Sequence, residues 1–227
     1  MKRQLRIVEL AGPAGVGKTT IRNALSKRNG TMRFSPVPQI RHLYNFPFFL
    51  WNFFLLLPCF FTLYREQKRS FTFELIVKMA ILNGWSRRLQ IDQQKDVRVL
   101  ILDQGPVYML AELLRHGPPN FRNLVPEWWE HVSWEWANVL DVLICLDSPD
   151  AILLQRNRTR EKNHGIKQNP DEWAAEFLAC SRKAQSEVIA SMTEKQGTMK
   201  VTQIDTSPSL SETVQKIFDI LEEQKTN

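Results

Sequence analysis

Gly12, Pro13, Ala14, Gly15, Val16, Gly17, Lys18 and Thr19 have the spacing G-x-x-x-x-G-K-T. Each residue type answers a need of phosphate binding. Glycines permit a tight turn whose successive backbone N–H groups converge on a phosphate oxygen. Lys18 would bring a point charge to the β- and γ-phosphates, and Thr19 would offer a hydroxyl to Mg²⁺. A helix running from Thr20 to about Lys27 would add the positive end of its dipole. A Gly-rich turn with no ligand leaves Lys18 and Thr19 unexplained. No guanine-selecting N/T-K-x-D run is present, since Asp147 lacks the preceding Lys, so ATP with Mg²⁺ is the expected cofactor pair.

A second chemical signal is the run Val97, Val99, Leu100, Ile101, Leu102, which ends in Asp103 and Gln104. It has the form of a Walker B strand. In an open parallel sheet the ligand site lies beyond the carboxyl ends of the strands, so Asp103 should arrive beside the loop. There it would hold Mg²⁺, directly or through water, or take a proton from the attacking oxygen. The plainer reading is an Asp that caps the next helix. Arg156, Arg158 and Arg160 form a third signal just before Asn163, His164 and Gly165. A basic segment there could close over transferred phosphate, although a solvated basic face gives the same pattern. Arg87 and Arg88 end a helical stretch, either as a charged last turn or as ligands of an acceptor anion.

These residues need a scaffold, and the hydrophobic pattern supplies one. Residues 5–10 read as a buried parallel strand, and residues 31–39 as a short second strand ended by Pro36 and Pro38. No acidic residue lies in that second stretch, one place where a small-molecule kinase could keep its base. Residues 71–93 read as a helix with Phe73, Ile76, Val77, Ala80, Ile81 and Trp85 on one face. Helices follow over 106–116 and 126–139, the latter expected to pack Trp128, Trp129, Trp134 and Trp136 against the sheet. Residues 141–146 and 201–204 read as further strands. A helix opens after Asp147, Ser148, Pro149 and Asp150. Another over 171–194 should turn Trp173, Phe177, Ala184 and Val188 inward, and the last runs to about residue 223.

A chain of 227 residues, 43% hydrophobic and 24% charged, is expected to form one domain with a sizeable core. The net charge of +6 suits anionic ligands, but the basic residues are dispersed apart from clusters near 65–69 and 156–162, so nucleic-acid binding is not expected. Cys59, Cys145 and Cys180 are too few for a disulfide framework and have no C-x-x-C spacing. A cytoplasmic protein without a secretory signal is expected. Residues 46–63 are unusually apolar, with Pro47, Asn52 and Pro58 breaking an 18-residue stretch that barely reaches spanning length. Buried helices flanking an acceptor pocket, or a homodimer interface, are the leading readings. A peripheral membrane contact, with Arg65, Lys68 and Arg69 meeting anionic headgroups, is the other.

Together these motifs resemble the thymidylate kinase-like branch of the P-loop nucleoside and nucleotide kinases, with the order of elements matching over nearly the whole chain. The resemblance implies a three-layer α-β-α sandwich around a mostly parallel five-stranded sheet. It implies a lid over about 154–168 carrying Arg156 and Arg160, an adenine-contacting loop at Thr206 and Pro208, and an acceptor side near 43–70. The family's Asp-Arg pair falls on Asp103 and Gln104, and a neutral amide cannot replace the arginine that helps grip an acceptor phosphate. The acceptor would then be a hydroxyl compound without a phosphate, or Arg87 or Arg88 would take over that contact. The expected function is an ATP-dependent kinase for a small molecule, with Lys18, Asp103, Arg156 and Arg160 acting on the phosphoryl group. The alternative is a P-loop NTPase that switches a membrane or protein partner.

Overall fold

Arg6–Ala11 forms the central strand, β1, and its Ile, Val and Leu suit a pleated strand covered on both faces. The structure is a computed structural model that describes residues 5–28, 32–66, 71–91, 97–160, 165–194 and 198–223. The other strands are β2 (Met32–Ser35), β3 (Val99–Leu102), β4 (Val142–Asp147) and β5 (Lys200–Asp205). They make one five-stranded sheet in the order β2-β3-β1-β4-β5. Every neighbouring pair is parallel.

β1 and β4 are each shifted by one residue from the stretches read in the sequence, β2 and β3 are shorter, and β5 is longer by a residue at each end, where it stays paired with β4. The helices between them are α1 (Lys18–Arg28), α2 (Phe46–Leu55), α3 (Leu57–Glu66), α4 (Phe73–Ile91), α5 (Pro106–His116), α6 (Phe121–Leu124) and α7 (Pro126–Val139). After β4 come α8 (Asp150–Thr159), α9 (Gly165–Gln168) and α10 (Asp171–Thr193), and α11 (Leu210–Glu223) follows β5.

Alternation along the strands feeds two cores. Ile7, Leu102 and Leu143 face one cluster, with Met79, Trp85, Leu110, Trp136 and Val188 from the helices. Val8, Ile101 and Ile144 face the other, with Ile21, Leu25, Leu178 and Ile217. These clusters form the two sides of an α-β-α sandwich.

The tryptophans of α7 pack among helices. Trp136 meets Trp85 edge-on at 5.7 Å and donates its Nε1–H to Leu82 O at 2.9 Å, while Trp129 donates to Ser191 Oγ at 3.0 Å. These bonds satisfy the indole N–H groups that burial would otherwise strand. Trp134 departs from the expectation of an inward face, because it lies on the outer side of α7 and is exposed. Trp173 is also partly exposed, at 40%, and stacks on Phe177 at the start of α10.

The segment 46–63 forms two helices joined at Leu56 with a 64° bend. Only a narrow stripe faces the protein: Phe49, Asn52, Leu56, Phe60 and Leu63 are buried. Asn52 Oδ1 accepts from Asn83 Nδ2 at 2.9 Å, which pins α2 to α4. Gly84 permits that approach, since a Cβ there would lie 2.5 Å from Asn52 Nδ2 and 2.8 Å from Phe48 Cε2.

One charged residue interrupts the apolar strand β1. Glu9 is fully buried, and its two carboxylate oxygens accept from Val107 N at 2.9 Å and Tyr108 N at 3.0 Å. These are first-turn amides of α5, which have no partner within their own helix. Burial pushes the Glu9 carboxyl up to about 7, against the opposing pull of the two N–H groups and of the Lys18 charge.

Gly84→Ala is expected to loosen α2 from α4 and to cost about 1–3 kcal/mol in urea unfolding. A midpoint equal to that of the unsubstituted chain would contradict the close contact. Glu9 has a folded-state pKa above its ordinary value of 4.5. Its contribution is therefore fully present below about pH 4.5 and is lost as pH rises through about 7. Glu9→Gln removes that dependence. The stability difference between the two chains should shift by on the order of 2–3 kcal/mol against the glutamate between pH 5 and pH 8. A difference that does not change with pH would refute it.

Candidate functional site

The turn after β1 is built by two glycines that nothing larger could replace. Gly12 has φ 148° and Gly15 has φ 84°. A Cβ on Gly12 would lie 2.3 Å from Leu146 O, and one on Gly15 would lie 2.3 Å from Asn157 Nδ2. The turn is thus wedged between the end of β4 and α8. Lys18 opens α1, and its Nζ donates back across the turn to Gly12 O at 2.6 Å and Pro13 O at 3.0 Å. Burial pulls the Lys18 ammonium down to about 8, partly offset by the charges of Asp103 and Glu9, while Arg160 pushes it further down. It still carries its proton at neutral pH.

Leu102 of β3 pairs with Glu9 of β1, so Asp103 emerges beside the start of the turn. Its carboxylate is bonded by Arg22 Nη1, three residues past Thr19 on α1. Gln104 follows with φ 57°, a left-handed conformation that is uncommon for a residue with a side chain. Gly105 comes next, where a Cβ would sit 2.6 Å from Glu9 Cδ.

The loops after β4 and β5 close the far side. Thr206 N donates to Asp147 O at 2.8 Å, and Arg156 reaches Thr206 Oγ1 at 3.1 Å and Thr206 O at 2.7 Å. Arg156 and Arg160 are four apart and share a side of α8 and its end, both on the cavity wall. Arg158 points elsewhere and pairs with Asp171 at 2.5 Å. Residues 161–164, which include His164 and the end of the expected basic segment at Lys162, lie outside the described residues.

These parts border one cavity of about 960 Å³. All of Gly12, Pro13, Ala14, Gly15, Val16, Gly17, Lys18, Thr19 and Thr20 line it, as do Asp103, Gln104, Thr206 and Pro208. Further wall comes from α5 and α10 through Tyr108, Glu112, Arg115, Phe177, Ser181 and Gln185, with Arg22 of α1 and Leu210 and Thr213 of α11. Arg115 bonds Glu112 at 2.9 Å and lies 4.3 Å from the Phe177 ring centroid, a cation–π contact. Glu112 also receives Lys78 at 3.6 Å.

Arg87 and Arg88 are not brought to this cavity. Arg88 donates to Asn45 Oδ1 at 2.5 Å and lies 5.8 Å from the rings of Tyr44 and Phe48, while Arg87 is 3.9 Å from Glu135. The end of α4 turns them toward the 3-10 turn Leu43–Asn45 and toward α7. The helices of 46–63 likewise contribute no residue to the described wall.

Thr19 and Asp103 offer hard oxygens on one cavity, a donor set that fits Mg²⁺ completed by water and phosphate oxygens. Among the described residues no cluster of three or more His, Cys, Asp or Glu could hold a metal ion. Three features escaped the sequence reading: Glu9, Arg22, and the α5–α10 wall. A lone carboxylate inside an apolar strand that leads into a phosphate loop was the available signal for the first. Arg22, one turn past Thr19, was the signal for the second.

No protein-family model matches the chain, and no curated protein matches it. Solved structures do. Deoxyadenosine kinase from M. mycoides with bound dATP is similar over 95% of this chain and 98% of its own, with a TM-score of 0.53 and 17% identity. Thymidylate kinase from Candida albicans is similar over 98% of this chain and 93% of its own, with a TM-score of 0.58 and 15% identity. Both likenesses extend over nearly the whole of each chain, and this chain shares the three-layer α/β fold of those two structures.

Proposed function

We propose that the chain is an ATP- and Mg²⁺-dependent phosphotransferase that moves the γ-phosphate to a hydroxyl of a small-molecule acceptor. The observation that carries this reading is the shared cavity, where Lys18 and the glycine turn face Asp103, Arg156 and Arg160. Phosphoryl transfer asks a protein mainly for positioning and for positive charge around the moving group. The backbone N–H groups of the turn would hold the β- and γ-phosphates, with the Lys18 ammonium alongside. Arg156 and Arg160 would neutralise charge that develops on the transferred group. Arg156, Thr206 and Pro208 would receive the adenosine end. Mg²⁺, when bound at Thr19 and Asp103, supplies charge neutralisation between the phosphates. Asp103 would serve as its partner or take the acceptor's proton, in either case leaving Arg22.

The acceptor would occupy the α5–α10 wall. Arg115 there is bonded to Glu112. Gln104 is neutral, and Arg87 and Arg88 are engaged elsewhere. This charge balance favours a hydroxyl acceptor that carries no phosphate, such as a nucleoside, over a nucleoside monophosphate.

Purified protein with ATP and Mg²⁺ should convert a nucleoside to its monophosphate with one ADP formed per product, and should discriminate against monophosphates. ADP released at the same rate with and without every acceptor in a panel of nucleosides, nucleotides, sugars and lipid alcohols would instead mark an NTPase. Lys18→Ala should lower kcat by roughly 10²–10³-fold. A Lys18→Ala chain with unchanged turnover would remove the turn from the chemistry.

A further inference from the structure

We propose that the elbow formed by α2 and α3 seats this protein on one leaflet of a bilayer that carries anionic lipids, a property independent of the kinase reading. Phe46, Leu50, Trp51, Phe53, Phe54 and Leu55 of α2 are exposed, Trp51 by 64% and Phe54 by 58%. On α3, Leu57, Phe61 and Tyr64 continue the same surface, with Phe61 68% exposed. Isolated exposed apolar side chains are ordinary, but a contiguous face of large ones marks an interaction site.

The width of the face selects its occupant. At 100° per residue, the exposed apolar positions of α2 cover an arc of about 200° and leave only the side of Phe49 and Asn52 for the protein. A packed helix neighbour, including one from a second copy, covers a stripe of roughly 100°. Hydrocarbon covers the whole arc. Length sets the depth: ten residues per helix give about 15 Å each, half of a hydrocarbon core of about 30 Å. The inner stripe of Phe49, Phe60 and Leu63 is built into the protein core, so the elbow lies in one leaflet and does not cross.

The surroundings complement anionic headgroups. Between Glu9 and Glu66 the sequence contains no acidic residue. Arg41 and Arg65 are exposed at the two ends of the elbow, and the sequence that follows adds Lys68 and Arg69. Arg65 pairs with Glu66 only at the surface, a contact of little strength that a headgroup can replace. Tyr44, Trp51 and Tyr64 are aromatic rings with a polar edge, the type enriched at membrane–water boundaries.

Flotation of the full chain with phosphatidylcholine vesicles, with and without added phosphatidylserine, tests the proposal. The protein should float with the mixed vesicles and less with phosphatidylcholine alone. Leu50→Glu combined with Phe54→Glu should cut the floated fraction by about tenfold or more, since each side chain forgoes burial in hydrocarbon. Both positions are exposed, so the circular dichroism melt should not move. Arg41→Ala with Arg65→Ala should remove only the phosphatidylserine-dependent part. Protein that stays at the bottom of the gradient with both vesicle types overturns the proposal. So does a lipid-free dimer, seen by sedimentation, that Leu50→Glu and Phe54→Glu convert to monomer.

Discussion

Glu9 lies in the middle of the sheet and receives the first two free amides of α5, and much of the site depends on this contact. It fixes where α5 begins, so it also fixes the short connection Asp103-Gln104-Gly105 between β3 and that helix. The close approach excludes any side chain at position 105, and Gln104 takes up the left-handed turn that remains. Asp103 is thereby left beside the glycine turn, and Gln104, Tyr108 and Glu112 stand along the cavity wall. A carboxylate is suited to this job because its two oxygens can accept two successive helix amides, which a hydroxyl or an apolar side chain cannot match.

The same carboxylate sets the electrostatics. Glu9 and Lys18 are both held away from water, and their pKa values move toward each other, upward for the acid and downward for the amine. Each charge eases the other's burial, though desolvation outweighs that attraction for both. Lys18 gains further support from two carbonyls of its own turn. A cation kept in place by fixed dipoles does not have to reorganise when an anion arrives, and preorganisation of this kind accounts for much of what a phosphate site contributes. Arg22 on Asp103 and Arg115 on Glu112 follow the same pattern: cations around the cavity are held in position by carboxylates.

Local spacing was enough to pick out residues that the fold brings to one cavity. Residues 12–19, Asp103 and Thr206 each follow the end of a strand, and a parallel sheet gathers such ends on one edge, where Arg156 reaches them from the last turn of α8. The sheet itself was legible because five short apolar runs alternate with helical stretches. The α5–α10 wall was not. Tyr108, Phe177 and Gln185 come from helices whose rotation about their own axes depends on packing, and periodicity alone does not fix it. Arg87 and Arg88 show the same limit: a helix end carries charge in both readings, and only the neighbouring turn at Leu43–Asn45 decided where it went.

Apolar content also failed to separate two kinds of aromatic helix. In α7, Trp129 and Trp136 are buried, and each indole N–H finds a partner, on Ser191 and on Leu82. In α2, the aromatic residues outnumber the positions that α4 can cover, because Asn52 and Gly84 bring the two helices together along one narrow line. Whatever lies outside that line faces outward regardless of its hydrophobicity. The cavity opens among α1, α5, α8 and α10 and takes nothing from α2 or α3, so whatever covers the elbow leaves its lining in place. The outer face of α2 and the cavity are thus separate surfaces in this architecture, and substitutions on the first leave the lining of the second untouched.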